Sequence, residues 1–419
     1  MKKKIYFLIV IGQLIFTQTN AQLPDFLERL NGGTVQSGDF YKEIPFEFAD
    51  NRIYINSLIN NHPFRLLVDT HSPCLLYDYI IDQAKLDTLD KSALLGKAFE
   101  NTFMMPVYPK IESFTVGHVQ FSSIGAMIMK KDKSNPMKDM KIDGILGANL
   151  MRHCIWQFNF VDTVIILTND ISRCKNIKDA IQIPFTPKPI QASPNIKMVI
   201  GNDIVNAQFD TGNNGFINAL SPNISQKIDD NEAVGWTMKL EIPVDRNDLD
   251  SLETHYYVLL DSLLMGKSML YNVPVVSYNP DYKKLMGQGS LGIDFLKHFI
   301  TTIDWNENII FLFPNNSIDE LPHNKSTFGF TYEYRKNKFR IKSIFSGSKA
   351  EQIGIKIGDE ILAINGVSLT QLSQQSVENY RDGKLKFSSD EDSEISITLL
   401  KDGANKKFVF NRYYLFTNK

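Results

Sequence analysis

Over most of its length the chain is written in short apolar runs, each of strand length and each closed by Gly, Asn, Asp or Pro. The stretches IESFTVGHVQFSSIGAMIM and LDSLLMGKSMLYNVPVVSY show the pattern. Runs of this kind predict β-strands joined by tight turns. Two segments differ. Leu146, Leu150 and Met151 in one, and Leu291, Phe295, Leu296 and Phe299 in the other, recur at helical spacing. That spacing predicts a helix after each of Gly147 and Gly292.

The pattern also repeats. A short strand, Ile53 to Ile55, leads through a turn to an apolar strand, Phe64 to Val68, that ends on Asp69-Thr70. Lys197 to Ile200, a turn, and Val205 to Phe209 ending on Asp210-Thr211 follow the same layout. Each copy has a second block further on, KIDGILGANLMRHCIWQFNFVDTVIIL and GQGSLGIDFLKHFITTIDWNENIIFLF. In one constant register Gly147 aligns with Gly292, Ile155 with Ile300, Phe158 with Ile303, and Asn159-Phe160 with Asp304-Trp305. Two blocks in the same order indicate an internal duplication, with halves at 22–180 and 181–315.

The N-terminus changes the setting. Lys2, Lys3 and Lys4 precede an apolar run from Ile5 to Phe16, and Thr19-Asn20-Ala21 offers a small residue before a cut at Gln22. This reads as a secretory signal over 1–21, the apolar run being short for a membrane span. The mature protein is then expected in a periplasmic or extracellular setting, with no lipid-anchoring Cys after the apolar run and no later membrane span. At 43% apolar, 22% charged and a net charge of -2 over 419 residues, nothing points to nucleic acid. Of the three cysteines, export permits one disulfide, Cys154 with Cys174; three buried apolar thiols fit equally.

The duplicated Asp-Thr pairs carry the chemistry. Halves related by a pseudo-twofold axis bring equivalent loops face to face, so Asp69 and Asp210 meet. Two carboxylates in contact cannot both ionise, and one pKa rises. The charged member can activate a water while the protonated one donates to a substrate carbonyl. Thr70 and Thr211 can tie the loops together across the axis. No His-Glu-x-x-His run for zinc occurs, and Gly289-Ser290-Leu291-Gly292 lacks the spacing of a nucleophile elbow. Asp245 to Asp250 lacks the turn Gly of a calcium loop and reads as solvated.

With Asp69-Thr70 and Asp210-Thr211-Gly212 after apolar strands, and Ile145-Leu146-Gly147 and Ser290-Leu291-Gly292 behind them, residues 45 to 315 resemble the retropepsin-like and pepsin-like aspartic peptidases. The resemblance implies a mostly β, bilobal, pseudo-twofold barrel fold. It implies peptide hydrolysis by Asp69 and Asp210 on a polypeptide substrate, without metal or cofactor. Thr70, Thr211, Gly212, Gly147 and Gly292 would support the loops. His71 stands where the family has Gly, and an imidazole there is expected to intrude on the cleft or twist the loop. Asn213 and Tyr108 are the other candidate cleft residues, Tyr108 being equally a packed strand aromatic.

Beyond a polar linker at 316–321, residues 322–415 resemble a PDZ domain, an α+β module. Thr327-Phe328-Gly329-Phe330 stands at its carboxylate-binding loop. Ser346-Gly347-Ser348-Lys349-Ala350, Ile353-Gly354-Ile355, Ile357-Gly358-Asp359-Glu360-Ile361-Leu362 and Ile364-Asn365-Gly366 follow in the family's order. The resemblance implies a peptide or C-terminus ligand bound by strand addition. Three readings of the whole result: an exported aspartic endopeptidase with a PDZ module, a peptide-binding protein that has lost catalysis through His71, or a PDZ-based scaffold.

Overall fold

A computed structural model describes residues 15–16, 28–86, 92–98, 101–131, 137, 140–239, 252–278, 287–316, 325–335, 337–381, 385–389, 391–401 and 403–416. The expected signal segment apart from Ile15–Phe16, the Asp245 to Asp250 stretch and most of the expected linker lie outside them. The described residues of Met1–Asn218, Leu263–Leu270 and Gly287–Leu321 form one compact unit. Those of Ala219–Ser262, Tyr271–Met286 and Pro322–Lys419 form another. The protein is mostly β, with barrel-like sheets and short helices.

In the first unit the duplication is visible strand by strand. Arg52–Ile59 pairs antiparallel with His62–Asp69, Ile59 facing His62 and Tyr54 facing Leu67. Pro194–Ile200 pairs with Asp203–Phe209 in the same way, Ile200 facing Asp203. The turns solve one problem with different residues. Asn60 and Asn61 both take positive φ, 47° and 66°, whereas in the second copy Gly201 alone does, at 59°. Both choices match the right-handed twist of a two-residue hairpin.

A later strand slots in parallel beside each hairpin. Gly144–Gly147 runs along His62–Asp69 with Gly147 opposite Asp69. Gln288–Leu291 runs along Asp203–Phe209 with Leu291 opposite Phe209. The expected helices shrink to one turn each, Ala148–Met151 and Ile293–Leu296. Leu146 and Leu291 belong to the inserted strands and Phe299 opens the next one, so part of the helical spacing was made by strand residues.

The two repeats meet in one antiparallel sheet. Its order is Tyr41–Pro45, Val164–Thr168, Ile155–Asn159, Phe299–Asp304, Ile309–Pro314, Ile181–Pro187. At the centre Trp156 faces Ile303 and Phe158 faces Thr301. Gln157 Nε2 donates to Thr302 Oγ1 at 2.7 Å, so the buried polar pair is satisfied. Trp156 and Phe158 are wholly buried, each contributing about 2–3 kcal/mol through the hydrophobic effect. Cys74, Cys154 and Cys174 are all buried free thiols, which corrects the Cys154–Cys174 disulfide considered above.

The second unit contains a five-stranded succession, Phe330–Arg335, Lys338–Phe345, Glu360–Ile364, Glu394–Lys401 and Ala404–Asn411. Phe339, Ile361, Ile364, Ile395, Ile397, Leu399 and Phe410 fill its core. The helix Lys349–Gln352 starts at Ser348, whose Oγ accepts from Glu351 N at 3.2 Å. No helix among the described residues is long and apolar enough to cross a membrane.

Candidate functional site

Each Asp-Thr pair sits at the end of its apolar strand, where the backbone turns. Asp69 Oδ1 accepts from His71 N at 2.8 Å and from Ser72 N at 3.1 Å. Asp210 Oδ1 accepts from Gly212 N at 2.9 Å and from Asn213 N at 3.0 Å. In both loops the carboxylate closes its own turn by accepting from the amides two and three residues on, a local bond that Asp is suited to make.

The threonines lock the loops to one another. Thr211 N donates to Thr70 Oγ1 and Thr70 N to Thr211 Oγ1, both at 3.0 Å. Thr70 Oγ1 then donates to Phe209 O at 2.7 Å, and Thr211 Oγ1 to Val68 O at 3.1 Å. Both threonines are buried, so every one of these groups would be unsatisfied without the other loop.

This grip brings the two carboxyl groups into a mutual hydrogen bond. Asp69 is 2% and Asp210 5% exposed. Burial lifts the Asp69 pKa to about 6, against the pull of the His71 and Ser72 amides and of the Asp210 bond. Burial, and after it the charge of Asp69, holds Asp210 well above the usual carboxylate range. Such a pair keeps one shared proton over a range of pH.

Gly147 and Gly292 let the inserted strands pass tightly behind the loops. A Cβ at Gly147 would stand 2.1 Å from Pro73 C, and one at Gly292 would stand 2.2 Å from Gly215 O. Ala148 N donates to Ser72 O and Ile293 N to Asn213 O, completing the contact. Gly212 has a different reason to be Gly. A Cβ there would lie 2.4 Å from both Cγ and Oδ2 of Asp69.

His71 does not twist its loop, since its amide makes the bond that Gly212 makes in the other copy. Neither position lies at positive φ. The imidazole is 1% exposed. Asn213 turns inward on its own loop, Nδ2 donating to Ser290 Oγ at 3.2 Å and Oδ1 accepting from Gly215 N at 2.9 Å. Tyr108 lies on the strand Asn101–Ile111, in register with Ala126, and its side chain is outside the described residues.

Residues with no motif brace the site. Gln191 Nε2 donates to His71 O at 3.0 Å, from a segment that Trp305 Nε1 holds through Ala192 O at 3.0 Å. Half-buried Lys188, in the same segment, is pushed down by burial and held up by the Asp210 charge. Fully buried Asn149 accepts from Cys74 N at 2.7 Å and donates to Leu30 O and Gly125 O at 2.7 and 2.8 Å. Only the register that pairs Asn149 with Asp294 in the duplication singles it out.

In the second unit, Thr327 Oγ1 accepts from Gly329 N at 3.0 Å, with Gly329 at φ 91°. The hydroxyl thus takes one of the loop amides expected to receive a carboxylate. The strand Phe330–Arg335 is paired on one side only among the described residues, and Tyr332 stacks on Tyr380 of the helix Gln374–Arg381.

The model of the PDZ domain matches residues 317–386, and this part of the chain is a PDZ domain. No curated protein matches the chain. A PDZ domain implies binding of a peptide or a C-terminus, or a scaffolding role. Strand pairing carries the module past the matched residues, since Tyr413–Tyr414 pairs with Ser326–Thr327.

Proposed function

We propose that the chain is an exported aspartic endopeptidase, with Asp69 and Asp210 as its catalytic residues and the PDZ domain as a peptide-binding module. One observation carries the reading: the reciprocal Thr70–Thr211 bonds hold two buried carboxyls against each other. A pair sharing one proton does both halves of peptide hydrolysis. The ionised member takes a proton from water as it attacks the scissile carbonyl carbon, and the protonated member donates to the carbonyl oxygen. The proton then passes to the leaving nitrogen as the C–N bond breaks.

Asp69→Asn and Asp210→Asn are each expected to abolish cleavage of an unfolded protein substrate while leaving the chain folded. Cleavage should rise as the pH climbs through about 6, where the first proton leaves the pair, and should ignore chelators. Cleavage that survives in both variants, or that a chelator stops, overturns the proposal.

His71 supports a second reading, a protein that binds peptides at this cleft without cutting them. It is favoured by an imidazole in the position where the resembling family has none. His71→Gly separates the two, since a gain in cleavage marks a braked enzyme. A native chain that binds unfolded polypeptide, with neither it nor His71→Gly cutting at any pH, marks the second reading. At the PDZ loop, Thr327→Gly frees the Gly329 amide and should tighten binding of free C-termini.

A further inference from the structure

The PDZ sheet contains a strand from much earlier in the chain. Lys338–Phe345 pairs along its length with Phe330–Arg335 on one side. Its other edge meets Ile361 and Glu360 through Phe339 and Arg340, and Ile341 continues the contact by donating to Asp359 O and accepting from Gly358 N. The end of that edge is taken by Ala233–Lys239, with Trp236 opposite Phe345, Thr237 opposite Ile344 and Met238 opposite Ser343. Ser346 N extends the ladder to Gly235 O at 2.8 Å. Ala233–Lys239 is one arm of a hairpin, the other being Leu252–Met265, which follows the second Asp-Thr loop in the chain.

Side chains seal the junction. Trp236 stacks on Tyr257 at 4.2 Å and on Phe345 at 6.1 Å, and Tyr257 lies parallel to Phe345 at 6.2 Å. Phe345 is 4% exposed. This is strand addition, the means by which a PDZ domain takes a peptide, used inside one chain at the opposite side of the sheet. Phe345 also reaches the ligand loop, since its amide donates to Gly329 O at 3.0 Å.

We propose that this hairpin is a built-in sensor of the PDZ loop. Phe345 belongs to both arrangements, its ring seating the hairpin and its amide fixing the Gly329 carbonyl. Ligand binding at Thr327–Phe330 therefore tightens the hairpin, and displacing the hairpin loosens the loop. The coupling must run equally in both directions. It holds whether or not the chain cuts peptides.

Amide hydrogen exchange on the full chain tests it without a ligand. Trp236→Ala should speed exchange about tenfold at Ala233–Lys239 and also at Phe328–Phe330 and Ser343–Ser346. In the reverse direction Gly329→Ala, whose Cβ would stand 2.7 Å from Ser348 Cβ at positive φ, should speed exchange at Ala233–Lys239. Unchanged exchange at Glu394–Lys401 establishes that a variant is folded. Should Trp236→Ala fail that criterion, Gly235→Val replaces it, since a Cβ there already approaches Ser346 Oγ at 3.1 Å. Faster exchange confined to the substituted element, or unchanged exchange at both, overturns the proposal.

Discussion

The loops at Asp69 and Asp210 share a backbone and differ in what surrounds it. In both, the carboxylate takes two following amides and the Thr bridges to its counterpart. They part at the third residue, His71 against Gly212. The first loop is braced by the side chains of Asn149 and Gln191. The second is braced through Asn213 and Asn218, which both donate to Ser290 Oγ. At the duplicated position of Asn149, Asp294 instead accepts from Asn51 and Lys297. The need for glycine is therefore not conformational. It arises where a Cβ would face the other carboxyl, as at Gly212, and the first loop accommodates His71 without changing its own hydrogen bonds.

The largest effect should come from cutting what the loops share. Thr70→Val leaves Thr211 N and Phe209 O buried without their partner, and should cost about 4 kcal/mol in urea unfolding. Thr70→Val with Thr211→Val should cost clearly less than the sum of the two, because both act on one network. Full additivity would mean that the loops are held independently.

Asp69→Asn should act in the opposite direction. The folded-state pKa of Asp69 is raised from 3.8 to about 6, so its stabilising contribution is complete below pH 3.8 and is lost as pH rises through 6. Asn keeps an oxygen for the two amides and never charges. The variant should be more stable than the native chain by on the order of 3 kcal/mol at pH 8, and the two should converge near pH 4. Thermal unfolding across pH measures this, and an Asp69→Asn variant less stable at pH 8 would break the assignment of a buried, strained carboxyl.

Two smaller tests sharpen the contrast. Gly212→Ala presses a methyl on the Asp69 carboxyl and should cost about 2 kcal/mol by overpacking. Gln191→Ala should cost about 1 kcal/mol by removing one bond to His71 O, with little effect on the second loop. A larger loss for Gln191→Ala than for Gly212→Ala would place the constraint in the brace rather than at the dyad.

Much of this organisation is legible in the sequence because it depends on local pattern. The hairpins before Asp69 and Asp210 follow from apolar runs of strand length and the turn residues between them, and the repeated blocks follow from their shared register. The PDZ glycines follow from turns that need them: Gly347, Gly354, Gly358 and Gly366 all take positive φ. The two helices stand where the spacing expects them, after Gly147 and Gly292, but their ends are not legible, since strand and helix residues adjoin at Leu146 and Leu291 without a break in apolar character.

The strands, the two Asp-Thr turns and the C-terminal module can thus be read from the chain alone, because each is set by neighbours within a few residues. The threonine link was legible as a possibility, but its reciprocal atoms, the accommodation of His71, the Thr327 hydroxyl on a loop amide and the seating of Trp236 on Phe345 come from the folded chain alone. Each of these joins groups that are distant in the chain or depends on where one side chain turns. Backbone pairing and burial can be satisfied by many partners, and a linear pattern does not say which one completes them.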